Sequence, residues 1–237
     1  GTSTITNSII YGNDGDEIGS FTATVTYSLV EGGYTGTGNI DADPLFADTA
    51  NGDYRLSDYS PVIGAGTSTG APSTDIIGTA RPSPAGSSPD MGAYENSRPS
   101  QRPKAGAITD GLSTDVDWHN SSSSLSAKWP NFVDNGNIAT LVTEFAIGSS
   151  TSNLADVLTW TTVSVDTGAG PSYTATGLSL TEGSTYYVSV RATDTDSQVS
   201  DTTTTDGVTI DLTNPAISSV LEGSLTDDID YQNSGSE

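Results

Sequence analysis

The chain of 237 residues contains no cysteine. This absence excludes disulfide frameworks, thiolate zinc sites and cysteine nucleophiles. No apolar run approaches the roughly 18 residues that a membrane-spanning helix needs. Helical periodicity is almost absent as well, because Gly or Pro interrupts nearly every window that is long enough for a helix. Short β-rich runs separated by turn residues remain, and they predict an all-β fold.

Basic residues are scarce: seven Lys and Arg stand against 30 Asp and Glu, for a formal net charge of −23. A surface this negative repels nucleic acid and anionic lipid, so we expect neither nucleic acid nor a membrane as a partner. The same charge attracts divalent cations, above all calcium. Two interpretations stay open: a solvated surface suited to salty surroundings, and a surface that carries specific calcium sites.

Apolar residues are also few, at 33 % of the chain. The aromatic and β-branched residues nevertheless fall in regular clusters, which indicates thin cores built from strands rather than a disordered polymer. The chain is long enough for one large domain or two modest ones.

The first region, residues 1–95, contains single strands about twenty residues apart. Residues 4–13 alternate in polarity and close in a Gly-Asn turn, and residues 22–33 repeat that shape. Strands joined by such turns at a constant spacing are typical of solenoid rungs. Each rung stacks on its neighbours because it cannot bury its own apolar face alone.

The motifs of this region resemble the C-terminal end of right-handed parallel β-helix proteins of the pectate-lyase-like type. Residues Asn7–Asn13 are similar to one rung of that fold, and five further motifs follow in order. Those motifs are Gly38–Phe46, Gly52–Leu56, Ser60–Gly66, Asp75–Pro82 and Asp90–Glu95. The resemblance implies that residues 1–95 form terminal rungs and that earlier rungs precede them. An open β-helix edge at the N-terminal side would then favour self-association.

Residues 96–106 read as a linker. They hold two prolines and three of the seven basic residues. Because proline restricts the backbone to extended conformations, we expect a stiff spacer.

The second region, residues 107–211, contains six strand candidates with turn signals between them, which suits a β-sandwich of about seven strands. The candidates are Ser124–Trp129, Thr140–Ile147, Thr159–Val165, Ser172–Thr176, Thr185–Ala192 and Gly207–Asp211. Two motifs resemble fibronectin type III domains. Leu125–Trp129 is similar to the second strand, whose Trp fills the core, and Leu180–Ala192 is similar to the approach to strand F, with Tyr186 at the tyrosine corner.

Residues 212–237 contain an internal repeat. Asp228–Ser234 matches Asp115–Ser121 in residue type. Because the match follows a complete sandwich, it indicates a tandem array, with residues 212–237 as the start of a second sandwich. We therefore expect the chain to be part of a longer protein.

Three acidic clusters are candidates for calcium, which prefers hard oxygen ligands. The clusters are Asp115 with Asp117, Asp194 with Asp196, and Asp134 with Asn135. Alternation along a strand would place the first pair on one face, about 7 Å apart. The alternative is structural, because Asp and Asn populate turns for backbone reasons, and none of the clusters completes an EF-hand pattern.

Three aromatic side chains, Trp118, Trp160 and Tyr187, are candidates for exposed platforms that stack on sugar rings. The alternative is cross-strand packing, which is common on sheets. The single histidine, His119, is replaced by Gln232 in the internal repeat, so no catalytic role is predicted for it. Carboxylate pairs are plentiful by composition alone, and none stands out as a glycosidase dyad.

Taken together, these features predict a non-catalytic, structural and adhesive segment of a secreted bacterial cell-surface protein. Tandem sandwiches would present or anchor a β-helix domain, and extracellular polysaccharide or a neighbouring surface protein would be the partner. The alternative is a carbohydrate-binding or accessory portion of an extracellular polysaccharide lyase or hydrolase. Because no residue names a ligand, this choice depends on the resemblance to known folds.

Overall fold

The computed structural model describes most of the chain, apart from its two ends and four short internal segments. The described ranges are residues 3–15, 18–19, 22–134, 141–164 and 170–213. Within them the chain forms strands, turns and one short 3₁₀ helix, Thr49–Asn51. No helix in these ranges is long and apolar enough to cross a membrane. The all-β prediction is confirmed, whereas the predicted start of a second sandwich, residues 212–237, lies outside the described ranges except for its first two residues.

The first region begins with two short parallel pairings. Strand β1 pairs with β3, and β2 pairs with β4, each at a register offset of twenty residues, as in Ser3 opposite Ala23. Ile40 continues the stack by bridging Leu29 in the parallel sense. The strands of this region are β1 (Ser3–Thr6), β2 (Ile9–Ile10), β3 (Ala23–Thr26), β4 (Leu29–Val30), β5 (Phe46–Asp48) and β6 (Asp53–Leu56).

A repeated bend joins the strands of each turn. Asn7, between β1 and β2, and Tyr27, between β3 and β4, both have left-handed backbone conformations, with φ of 50° and 48°. Asn adopts this region more readily than most residues, and the Asn7 side chain exchanges two hydrogen bonds with the main chain of Thr67, which is sixty residues away in sequence. The bend turns Val25 and Leu29 inward, where both are fully buried.

The parallel pairing does not close into a solenoid within the described residues. Strands β5 and β6 form an antiparallel hairpin, and residues 57–108 contain no strand. Turns of this segment fold back over the stack, so that Val62, Ile63 and Met91 fill a core with Leu29. The terminal-rung interpretation therefore stays a prediction.

A buried polar network closes the first region. Arg81 and Glu95 form an ion pair at 2.8 Å, with side chains only 4 % and 0 % exposed. The Asp75 carboxylate accepts backbone N–H groups from Thr79 and Glu95, and Asp90 accepts from Gly64 and Asn96. These bonds satisfy turn amides that no strand pairs, which explains why so many acids lie in two short motifs.

The second region forms a sandwich of two sheets. A small sheet has the order β12–β9–β7, and a larger sheet has the order β11–β10–β13–β15–β8, with β14 also on β13. The strands are β7 (Thr109–Asp110), β8 (Trp118–His119), β9 (Ser124–Lys128), β10 (Val142–Gly148), β11 (Leu158–Val163), β12 (Ser172–Thr176), β13 (Thr185–Thr193), β14 (Thr203–Thr204) and β15 (Val208–Ile210). This is the architecture of a fibronectin type III-like domain.

The core of the sandwich holds both side chains that the family motifs predict. Trp129 is 2 % exposed, and its ring lies 6.3 Å from that of Phe145. Tyr186 is buried, and its hydroxyl accepts a hydrogen bond from the Thr181 amide at 3.0 Å, which is the tyrosine corner. Val188 alternates inward along β13 and is fully buried.

The predicted spacer is packed rather than free. Gln101 is 2 % exposed and donates to the Tyr59 carbonyl. Gly64 has φ +64°, and a Cβ there would lie 2.2 Å from the Pro99 carbonyl oxygen, so the linker backbone passes directly over it. Lys104 exchanges two backbone hydrogen bonds with Val133 of the sandwich. The spacer predicted from its prolines is therefore held by contacts with both regions, which the spacing of prolines along the sequence does not reveal.

Candidate functional site

The linker and one sandwich loop form a junction between the two regions. The loop joins β13 to β14, and its Gln198 side chain is 7 % exposed. Arg98 Nη1 donates to Gln198 Oε1 at 3.1 Å, and Gln198 Nε2 donates to the Ser100 carbonyl at 2.8 Å. Gln198 therefore serves as acceptor and donor to two linker residues at once.

Arg102 makes a second set of contacts at the junction. Its Nε donates to the Val199 carbonyl at 2.5 Å, and its Nη2 pairs with Asp201 Oδ1 at 2.8 Å. Its guanidinium lies 5.5 Å from the centre of the Tyr59 ring, and the Tyr59 hydroxyl donates to Asp201. Burial raises the pKa of Tyr59, so its hydroxyl keeps the proton that it donates. These bonds orient the linker relative to the sandwich more than they stabilise the fold, because the Arg102–Asp201 ion pair is partly exposed.

Two of the predicted metal ligands belong to this junction. Asp194 Oδ1 accepts from the Gln198 amide at 2.8 Å, and Asp194 Oδ2 accepts from Gln198 Nε2 at 3.3 Å. Asp196 Oδ2 accepts from the Ser100 hydroxyl at 2.8 Å. The structural alternative, in which these acids serve the backbone of a turn, therefore accounts for both.

In the third predicted calcium cluster, Asp134 is half-buried, and Asn135 lies outside the described residues.

Asp115 and Asp117 do not form the predicted pair on one strand. Residues 115–117 precede β8 and are not themselves a strand, so the alternation argument does not apply. The Asp117 carbonyl accepts from the Thr209 amide, and its side chain is exposed. Asp115 turns back instead, and its Oδ1 accepts from the Asp110 amide at 2.9 Å.

Asp115 joins two acids that are distant in sequence, Asp110 and Asp206. Each of these three residues offers a carboxylate oxygen, and the three oxygens lie within 4.8 Å of one another. Asp110 ends β7 and is fully buried, whereas Asp115 and Asp206 are exposed. We call this group the acidic triad.

Burial, together with the neighbouring charges of Asp115 and Asp206, raises the pKa of Asp110 to about 7. The Thr205 hydroxyl and the Gly207 amide lower it, but neither forms a hydrogen bond of normal geometry to the carboxylate. A buried carboxylate in this position is stable when it is protonated or when a cation offsets its charge.

The three predicted sugar platforms differ in access. Trp118 is 64 % exposed and lines a cleft of about 290 Å³ together with Asp110. Trp160 is half-buried, and the Arg191 guanidinium covers it at 4.2 Å from the ring centre. Tyr187 is half-buried against Gly207. Trp118 is therefore the one of these three that presents an open ring.

The sequence pattern did not predict Asp110 or Gln198 as functional residues, although each left a signal in the sequence. A signal for Asp110 exists, because Ile108 and Asp110 are two residues apart on the same inward face of an extended segment, and an Asp at a core position is unusual. A signal for the junction also exists, since the linker concentrates basic residues in a very acidic chain.

No protein-family model matches the chain, and no curated protein matches it. Among solved structures, the chain is similar to the PKD domain of an M14-like peptidase from Thermoplasmatales archaeon SCGC AB-540-F20, with 16 % identity over 47 % of this chain and 98 % of that one, at a TM-score of 0.30. It is also similar to fibronectin(III)-like modules of Clostridium thermocellum CbhA, with 15 % identity over 46 % of this chain and 95 % of that one, at a TM-score of 0.25.

A third similarity is to an alpha-L-rhamnosidase from Dictyoglumus thermophilum, with 14 % identity over 45 % of this chain and a TM-score of 0.32. The match spans only 12 % of that enzyme's chain. The sandwich assignment depends on the strand order and core described above, not on these low scores.

Proposed function

We propose that this chain is a non-catalytic structural segment of a secreted bacterial cell-surface protein. In this proposal the sandwich holds the end of a parallel β-helix in a fixed direction, and the assembled surface adheres to extracellular polysaccharide or to a neighbouring surface protein. The observation that carries the proposal is the junction, where Gln198 and Arg102 bind the linker to the sandwich and leave it little freedom. A rigid joint of this kind suits a part that positions another domain.

The parallel pairings support a β-helix as the positioned domain. A constant offset of twenty residues recurs in β1–β3 and β2–β4, and the left-handed bends at Asn7 and Tyr27 recur at the same interval. A stack of equal turns accounts for both repeats, because each turn must place its strands and bends above those of the turn before it.

The buried acids of the first region support a structural role. The carboxylates of Asp75, Asp90 and Glu95 all accept backbone N–H groups. A general acid or base must instead reach a proton of the substrate. These acids therefore close the fold, and their abundance does not indicate a glycosidase site.

Small-angle X-ray scattering on the full chain tests the fixed joint. The double variant Arg102→Ala, Gln198→Ala removes the junction contacts, and we expect it to broaden the distribution of interatomic distances and to increase the maximum dimension. Arg55→Ala is the matched control, because it removes an exposed Arg–Asp pair within one hairpin. A wild-type chain in which the sandwich already takes many orientations relative to the first region would overturn the proposal.

Carbohydrate binding is the second candidate, and the open ring of Trp118 beside a cleft favours it. Affinity electrophoresis in gels that contain acidic or neutral polysaccharides tests it. We expect Trp118→Ala to abolish any retardation, whereas Trp160→Ala should retain it because Arg191 already covers that ring. Free migration of the wild-type chain in every gel would exclude this candidate for the polysaccharides used.

A further inference from the structure

The acidic triad brings together carboxylates from three separate segments. Asp110 lies at the end of β7 in the small sheet, Asp115 lies in the turn that follows, and Asp206 lies between β14 and β15 beside the large sheet. Exposed acids often cluster in a chain of this composition, so the cluster alone does not indicate a ligand. The state of Asp110 supplies the independent observation.

Asp110 is 0 % exposed, and neither of its carboxylate oxygens has a hydrogen-bond partner among the described residues. Buried polar groups are almost always hydrogen-bonded, and buried charges are paired or coordinate a metal. The side chain is directed at Asp115 and Asp206, which would repel it if all three were ionised. An unpartnered, buried carboxylate directed at two others is the arrangement that a cation would relieve.

No basic side chain relieves it. All seven Lys and Arg residues lie within the described ranges. The five arginines pair with other acids: Arg55 with Asp53, Arg81 with Glu95, Arg98 with Asp58, Arg102 with Asp201, and Arg191 with Glu144. Neither lysine forms an ion pair within the described ranges, and Lys104 lies over the Tyr59 ring. The triad therefore holds three carboxylates that no lysine or arginine pairs with, and His119, which lines the same cleft as Asp110, is not part of the group.

We propose that Asp110, Asp115 and Asp206 bind one calcium ion. All three ligands are hard oxygens, which alkaline-earth cations prefer. Calcium accepts six to eight oxygens in flexible geometry, whereas magnesium demands a near-ideal octahedron at shorter distances. A site built from one buried strand end and two exposed turns suits the more tolerant ion. The bound ion links the small sheet to the β14–β15 turn, and so clamps one end of the sandwich.

Thermal unfolding of the full chain tests the clamp, followed by tryptophan fluorescence, because all three tryptophans lie in the sandwich. Melting curves are recorded in millimolar CaCl₂, in MgCl₂, and in chelator, at matched ionic strength. We expect CaCl₂ to raise Tm by at least about 5 °C over chelator. Isothermal titration with CaCl₂ should give a stoichiometry of one site per chain, and MgCl₂ should give a much smaller shift.

Three variants locate the site. Asp110→Asn and Asp206→Asn remove a ligand charge with little change of shape, and we expect each to weaken calcium binding at least tenfold and to abolish most of the Tm shift. Asp117→Asn removes an equal charge from the same segment but lies outside the triad, so its calcium response should match that of the wild type. Melting in chelator shows whether each variant folds, and Asp206→Asn, at an exposed turn, should melt there close to the wild type.

The proposal is overturned by any of three results: no calcium shift in the wild type, an equal shift with magnesium, or an undiminished shift in a folded Asp206→Asn variant. The last result would assign the calcium effect to screening of the general surface charge.

Discussion

Individual acids of this molecule have pKa values shifted in opposite directions by their surroundings. Asp90 is 0 % exposed, and its oxygens accept the Gly64 and Asn96 amides at 2.7 and 2.6 Å. Burial raises its pKa to about 7, although these two bonds favour the charged form. Asp53 shows the opposite behaviour at the surface, because its bonds to Arg55 lower its pKa to about 2. Burial and hydrogen-bond partners thus shift the pKa of an aspartate in either direction.

The raised pKa of Asp90 predicts a dependence of stability on pH. The folded state holds the Asp90 proton more tightly than the unfolded state, so this contribution is full below about pH 4 and is lost as the pH rises through about 7. Over that window the contribution of Asp90 to the free energy of unfolding should fall by on the order of 1 kcal/mol per pH unit. Urea unfolding of the wild type and of Asp90→Asn measures the difference, since Asn does not titrate.

A direct measurement complements the unfolding series. The ¹³C NMR shift of the Asp90 carboxyl carbon should titrate near neutral pH, and that of Asp53 should stay that of a carboxylate throughout the same range. An Asp90 titration at the ordinary pKa of about 4 would contradict the expectation.

At the scale of elements, the turn between β14 and β15 supports two features at once. It carries Asp206 of the acidic triad, and its Gly207 packs under the Tyr187 ring. Gly207 has φ +107°, and a Cβ there would lie 2.7 Å from Tyr187 Cε1 and 2.9 Å from Thr185 Cγ2. The turn can therefore approach β13 only because this position lacks a side chain.

Replacing that glycine tests the close approach. We expect Gly207→Ala to lower the free energy of unfolding by about 2–3 kcal/mol, because it adds a contact with β13 to an unfavourable backbone conformation. Gly183→Ala is the control, since Gly183 has φ +72° with nothing within 4 Å of its Cβ position, and it should cost only about 1 kcal/mol. Urea unfolding followed by tryptophan fluorescence measures both, and equal losses would show that the contact with β13 is unimportant.

At the scale of the whole molecule, repulsion between negative charges acts against the ion pairs of the junction. A net charge of −23 drives segments of the chain apart, whereas the junction places three of the few basic residues between the two regions. Arg98 and Arg102 each pair with an acid there, Asp58 and Asp201 respectively. The linker thus concentrates positive charge at the place where two acidic bodies meet.

This balance predicts that simple salt stabilises the chain. Raising NaCl from about 20 mM to about 500 mM, with chelator present to exclude calcium, should raise Tm by a few degrees because screening reduces self-repulsion. Potassium chloride should act equally, since the effect depends on ionic strength alone. A Tm that falls with salt would show that the ion pairs of the junction outweigh the repulsion.

Much of the sandwich could be predicted from local pattern. The alternation in Leu125–Trp129 and Leu180–Ala192 places Trp129 and Tyr186 in the core, as the structure confirms. Alternation is a local property of a strand, so it survives in the sequence. Strands β7, β8 and β14 escape such prediction because each has only two residues, too few to show a period.

The sequence by itself determined the all-β class, the negative surface and the residues that fill the sandwich core, because these depend on composition and on neighbours along the chain. The tertiary structure alone decided which acids meet. Asp115 lies close to Asp110 and Asp206 rather than forming a site with Asp117, and Asp194 accepts a hydrogen bond from the Gln198 backbone amide at the junction. Such groupings depend on how separate loops approach one another, and that approach is set by the packing of the sheets rather than by spacing in the sequence.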